Sequence, residues 1–193
     1  RELAGMAAAI GREFTLPVLA RVCEQDEDGL VRSLDELWQR RIVADATGQG
    51  LEAYDFTHDK LREVAYNSLS AARRRLLHRR IAEAMEAVNR SQLDTVNGQI
   101  AAHFESAGLF DRAVLYYQRA AEVARQVYAN GDAIRYYRRG LALLGGPASR
   151  TPALVADLYQ HLGDTLHWTA QYDEARAAYQ QAIAAIPEMD TIR

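Results

Sequence analysis

The sequence predicts a mainly α-helical chain with one small β-hairpin near residue 50. Of its 193 residues, 34 are alanine and only 4 are proline, a bias toward the strongest helix former and away from the strongest breaker. Apolar residues recur at three- and four-residue spacing along most of the length. That period gives way to alternation in only one stretch, between Ile42 and Phe56.

Taken in order, Glu2 to Ile10 reads as a short apolar helix closed by Gly11. Thr15 is placed as the N-cap of a second helix, with Pro17 in the first turn, where its missing N–H costs nothing. A third begins in the acids Asp26, Glu27 and Asp28, which suit a helix N-terminus. It carries Leu30, Val31, Leu34, Leu37 and Trp38 at helical spacing. Ile42 to Ala44, a Gly48-Gln-Gly50 turn and Leu51 to Phe56 form the expected hairpin, with Tyr54 and Phe56 on one face. Helix resumes at Asp59, with Leu61, Val64, Ala65 and Leu69 expected on its buried side. Three helices, a hairpin and a following helix are the layout of a winged-helix domain, expected over residues 1–70.

Everything after Ser70, itself a fitting N-cap, reads as helix: 71–88, 92–107, 111–129, 132–144, 152–169 and 172–186. Gly108, Gly131, Gly145-Gly-Pro147 and Pro187 punctuate the pattern. The 34-residue tetratricopeptide pattern fits this region twice, with an insertion around 146–153 breaking the strict spacing between the two copies. Over 156–189 the tetratricopeptide pattern is matched in register by Tyr159, Leu162, Gly163, Leu166, Ala175, Tyr179, Ala182 and Pro187. Over 114–147 it is matched by Tyr117, Ala120, Ala121, Ala124, Ala133, Tyr137 and Gly140. Small residues let paired helices approach and the tyrosines fill the gaps; Tyr116 and Tyr136 are left to face outward. A tetratricopeptide-like antiparallel helical array is therefore expected over residues 71–193, its first helix pair degenerate.

Composition excludes several classes. The formal charge is −3, and acids and bases are spread evenly, so there is no general pull toward nucleic acid or anionic membrane. The single cysteine, Cys23, rules out an internal disulfide framework and fits a reducing compartment. No apolar run is long enough to span a bilayer as a helix, and a cytoplasmic protein is expected. The chain opens on Arg1 and enters a helical pattern at once, as a piece of a longer protein would.

Chemistry-bearing motifs are sparse. No phosphate-binding Gly-rich loop ending in Lys-Ser/Thr occurs; the only lysine is Lys60. Histidines 58, 78, 103, 161 and 167 lack metal-ligand spacing, and no catalytic set or cofactor site is read in the chain. The helix that would enter a DNA groove, Asp26 to Arg41, holds five acids and three arginines, so it would repel phosphate. Arg73, Arg74, Arg75, Arg79 and Arg80 are distributed around their helix instead of forming a stripe. Repeat arrays bind partners on the face lined by the first helix of each pair. Those positions are Gln118, Glu122, Arg125 and Gln126, then Asp157, Gln160, Asp164, His167 and Trp168, a polar surface suited to a protein or peptide.

The run Ile10-Gly-Arg-Glu-Phe14, Leu34-Asp-Glu-Leu37, Phe56-Thr-His-Asp-Lys-Leu-Arg-Glu-Val-Ala-Tyr66 and Arg73-Arg-Arg-Leu-Leu-His-Arg-Arg80 resembles the region after the nucleotide-binding domain of STAND-type signalling ATPases, which include large bacterial transcription regulators and cyclase-linked ATPases. In that family a P-loop ATPase domain precedes a winged helix and tetratricopeptide repeats. The resemblance implies that His58 and Asp59 match the family's Met-His-Asp sensor, in which the histidine approaches the β-phosphate of ADP; Thr57 stands in place of the methionine. ADP or ATP is implied for the parent protein and no cofactor for this segment. Two other readings stay open: a free-standing adaptor without a nucleotide role, and a winged-helix DNA-binding protein. Direct nucleic-acid binding and membrane association are not expected.

Overall fold

The computed structural model describes residues 2–23, 26–46, 53–145 and 152–186. The chain is mainly helical, with a small three-stranded antiparallel sheet. It divides into two compact units, residues 1–93 with 103–109, and residues 94–102 with 110–193. The boundary expected at residue 70 thus falls inside the first unit, because the helix after it packs against the N-terminal helices. The expected Gly48–Gly50 turn, the start of the second hairpin strand at Leu51, Gly146-Pro147 and Pro187 lie outside the described residues.

The first unit contains α1 (Glu2–Ile10), β1 (Glu13–Thr15), α2 (Leu16–Val22), α3 (Glu27–Gln39), β2 (Val43–Asp45), β3 (Ala53–Phe56), α4 (Asp59–Asn67) and α5 (Ala71–Val88). Helix α1 is alanine-rich and buried along nearly its whole length, so α4, α5 and α2 can close around it. Asp26 caps α3, its carboxylate accepting from Gly29 N at 3.2 Å, and Ser70 caps α5 by accepting from Arg73 N at 3.2 Å. Both caps hold an orphan amide at a helix start.

The strand β1 is absent from the sequence reading, which made Thr15 only a helix cap. It pairs with β3, setting Phe14 opposite Tyr54, while β2 sets Val43 opposite Phe56. Three residues are too few to show a period, so only the pairing reveals this strand. The Phe14 ring meets Tyr54 at 5.8 Å and Phe56 at 6.0 Å, closing the sheet over the core. Helix α4 meets its expected setting in part, with Ala65 and Leu69 half-buried. Leu61 and Val64 are exposed, whereas Tyr66 faces α5 and lies beneath the Arg74 guanidinium at 4.5 Å. Val31 and Trp38 of α3 are exposed as well.

A hydrogen-bond relay crosses the first unit's core. Tyr66 Oη lies 2.9 Å from His78 Nε2, and His78 Nδ1 lies 2.9 Å from His103 Nδ1. His103 belongs to α6 (Leu93–Ser106), whose residues divide between the units. The Ile10 carbonyl favours a proton on His103. One assignment matches donors to acceptors along the relay: Tyr66 donates to His78 Nε2, and His78 Nδ1–H donates to His103 Nδ1, leaving the His103 proton on Nε2. Both rings are then neutral. Burial, followed by the Arg74 charge, pushes His78 down. Burial, followed by the His78 ring, pushes His103 down to about 4.

The second unit contains α7 (Phe110–Gln126), α8 (Asn130–Leu144), α9 (Pro152–Trp168) and α10 (Tyr172–Ala185). Helix α7 packs on α8, α8 on α9 and α9 on α10. The core is built from Ala121, Ala133, Tyr137, Leu158, Leu162, Leu166 and Ala175. Two glycines carry a ring where a β-carbon would stand. A Cβ on Gly163 would lie 2.6 Å from Tyr179 Cε1, and one on Gly98 would lie 2.4 Å from the Tyr136 hydroxyl. Tyr136 is therefore engaged, and Tyr116 is buried at 6% exposure. Neither faces outward as the sequence suggested.

The helices α3, α6, α7 and α9 end alike. Each runs into a residue of positive φ, Arg41, Gly108, Tyr128 and Ala170. The next amide then bonds back five residues: Ile42 to Leu37, Leu109 to Phe104, Ala129 to Ala124 and Gln171 to Leu166, all at 2.9 Å. This left-handed C-cap satisfies the last free carbonyls of a helix.

Two predictions follow from this packing. Gly163→Ala forces the Tyr179 ring from its seat and costs about 1–3 kcal/mol. Gly140→Ala, whose nearest neighbours would lie at 3.8 Å, is neutral or stabilises by up to about 1 kcal/mol; thermal unfolding separates the two. The histidine relay gives a pH dependence. A histidine held at about 4 in the fold has an unfolded partner that takes up its proton below the ordinary value near 6.5. Stability is thus full above that value and falls as pH drops toward 4, by about 3 kcal/mol for His103. Urea unfolding read from Trp38 in a Trp168→Phe background tests this, and His103→Leu removes most of the slope.

Candidate functional site

Two groups of the sequence-singled residues are placed by the fold, one in each unit. In the first, His58 is the N-cap of α4, with only Thr57 between it and the end of β3, and has extended backbone (φ −142°, ψ 131°) and no side-chain capping bond. Its carbonyl accepts from Leu61 N at 3.0 Å, and its imidazole is exposed. Asp59 is the first helical residue and not the cap. Arg12, just before β1, reaches Asp59 Oδ2 at 3.5 Å and Asp55 Oδ1 at 3.3 Å. The mouth of α4 thus holds one unengaged imidazole beside a carboxylate that an arginine partly neutralises. Thr57 turns away, donating to the Arg41 carbonyl at 2.7 Å.

In the second unit, α7 and α9 place most of the remaining candidates on facing sides of one groove. Gln118 Nε2 donates to Glu122 Oε1 at 3.1 Å and crosses to Asp157 Oδ2 at 3.3 Å. Arg125 Nη1 meets His161 Nδ1 at 3.1 Å, and its guanidinium lies 5.5 Å over the Trp168 ring. Because arginine can only donate, His161 accepts at Nδ1 and carries its proton at Nε2, which lies 3.4 Å from Asp157 Oδ1. Asp164 accepts from the Tyr179 hydroxyl at 2.9 Å. A pocket of about 320 Å³ opens at one end, lined by Glu122, Arg125, Gln126 and Trp168. Trp168 is 64% exposed there.

Gln160 and His167 stand to one side. They share a flank of α9 displaced from the line through Asp157, Asp164 and Trp168, and His167 instead meets the Tyr172 ring at 5.3 Å. The groove's central residue, His161, was considered in the sequence only as a metal ligand. Its spacing was informative all the same: four residues after Asp157 and three before Asp164 put all three on one helix face. Beneath it lies Tyr137 of α8, fully buried, its ring stacked on His161 at 6.0 Å. Burial raises the Tyr137 pKa; the neighbouring Arg125 guanidinium opposes this by hydrogen bonding and by charge, while Glu122 and Asp157 add to the rise.

Among the described residues no cluster of three or more histidines, cysteines or carboxylates is arranged to hold a metal ion. No helix there is long and apolar enough to cross a membrane. No protein-family model matches the chain. The chain is similar to an uncharacterized protein of Rhizobium meliloti (strain 1021), with 30% identity over 193 residues that take in 95% of this chain. It spans only 18% of that relative's length.

The network predicts energetic coupling across the groove. Arg125→Met and His161→Phe each change the Trp168 fluorescence, and a double-mutant cycle between them returns a coupling of about 0.5–1 kcal/mol, as befits half-exposed partners.

Proposed function

We propose that the chain is the regulatory, non-catalytic segment of a STAND-type signalling ATPase, a bacterial transcriptional regulator by resemblance. The first unit serves as a winged helix that reports nucleotide state, and the second as a tetratricopeptide-like array that binds a partner protein or a neighbouring domain. The observation that carries this reading is His58. Its imidazole is solvent-facing and makes no capping bond, and it stands at the start of a helix whose free amides and dipole favour an anion. It follows a strand pair that takes the place of the wing, after three helices. The glycine-under-tyrosine contacts of the second unit are the packing that stacked helical hairpins require.

A free-standing adaptor is the second reading, favoured by the α7/α9 groove, whose side chains are paired to one another within the helical array. A phosphate-binding loop encoded upstream in the parent gene separates the two. DNA binding is disfavoured by α3, where Glu27, Asp28, Asp35 and Glu36 are all exposed.

The test is His58→Ala in the full-length parent protein. Loss of a hydrogen bond to a charged phosphate lowers ADP retention by about tenfold and raises basal output. Retention and output both unchanged would remove the nucleotide-sensing role.

A further inference from the structure

The carboxylates of the α7/α9 groove are answered mainly by neutral groups. Glu122 accepts from the Gln118 amide, Asp157 from that same amide with the His161 ring 3.4 Å away, and Asp164 from the Tyr179 phenol. Against three negative charges the groove sets one permanent positive charge, Arg125, which is turned to His161 and Trp168. The net field in the groove is therefore negative. Below it, the Tyr137 hydroxyl and Arg125 Nε are shielded from water and neither has a partner in good hydrogen-bond geometry, although the Arg125 guanidinium stands close enough to the hydroxyl to influence it. Tyr137 itself is 0% exposed, and its hydroxyl lies within the influence of Arg125, Glu122 and Asp157. An unpaired buried phenol is costly, and a phenol oxygen can accept where Arg125 Nε can only donate.

Resting on the reading of the second unit as an interaction module, we infer that this groove takes a peptide segment through a basic side chain, arginine or lysine. An incoming cation satisfies Glu122 and Asp157 and, as Arg125 is drawn aside, reaches the Tyr137 hydroxyl. Arg125 Nε then donates to a carbonyl of the same peptide. The exposed Trp168 ring offers its face to the arriving cation. An acidic peptide or a nucleic acid would meet the three carboxylates at close range.

The test uses the chain with fluorescein-labelled decapeptides of Gly, Ser and Ala that carry a central Arg, Lys, Gln or Glu pair, read by fluorescence anisotropy. The Arg and Lys peptides are expected to bind at least tenfold tighter than the Gln peptide, with the Glu peptide weakest and the preference declining as salt rises. Glu122→Gln weakens the Arg peptide severalfold. Glu122→Lys abolishes its binding with the circular dichroism unchanged, since Glu122 is exposed. Spermidine, as a free cation, displaces the Arg peptide only at much higher concentration than unlabelled peptide does. Equal or preferred binding of Gln or Glu peptides, indifference to Glu122→Lys, displacement by spermidine as readily as by peptide, or no binding would overturn the inference. Charge-blind binding that Trp168→Ala removes would overturn the cation chemistry alone and leave the interaction module standing. ADP retention in His58→Ala judges the regulatory reading separately.

Discussion

The second unit depends on a helix having no side chain at one point. Gly163 leaves a gap in α9 that the Tyr179 ring fills, too closely for any β-carbon. The same ring sends its hydroxyl to Asp164, so packing and polar surface are fixed by one residue. Asp164, Asp157 and His161 share a face of α9, and His161 is supported from below by Tyr137. The groove is thus the upper surface of a packing solution. Its donors and acceptors are held in place by rings whose positions are set by the crossing of helices.

The first unit is organised by a different constraint, the neutrality of its interior polar groups. A pair of imidazoles in a core is tolerable only while each has a donor for every acceptor. Tyr66 donates at one end of the pair, and the Ile10 carbonyl favours a proton on His103 at the other. The relay ties together residues of α1, α4, α5 and α6, elements whose apolar contacts would allow some sliding. Directional bonds add the register that apolar packing lacks.

Local signals were legible in the sequence, and cross-chain ones were not. Ser70 and Asp26 announce their helices because a cap acts within three residues. Tyr137, Gly163 and Tyr179 were placed by a repeat that records packing at fixed spacing. Of the residues expected on the inner side of α4, Ala65 and Leu69 turn inward while Leu61 and Val64 do not; the helix is rotated so that its inward side also carries Tyr66, a residue with one polar end that suits a core only if a partner waits there. That partner, His78, is twelve residues away, beyond any local pattern. Strand β1 escaped for the same reason, since its pairing is with residues some forty positions later. In the groove, Gln118, Glu122, Arg125, Asp157 and Trp168 lie on facing sides of α7 and α9. His161 was overlooked because its role rests on an arginine of another helix.

Three of the five left-handed helix ends among the described residues use a residue other than glycine: Arg41, Tyr128 and Ala170. An L-residue in that conformation carries a penalty of about 1 kcal/mol that glycine would avoid. These turns are therefore held by the helices they join and not chosen by the residue within them. In evolutionary terms, each is a site where one codon change raises stability without touching either candidate site. A lineage that loses packing elsewhere while its binding groove changes has three such local remedies, and the fold can follow its function through sequences that would otherwise fall below the threshold for folding.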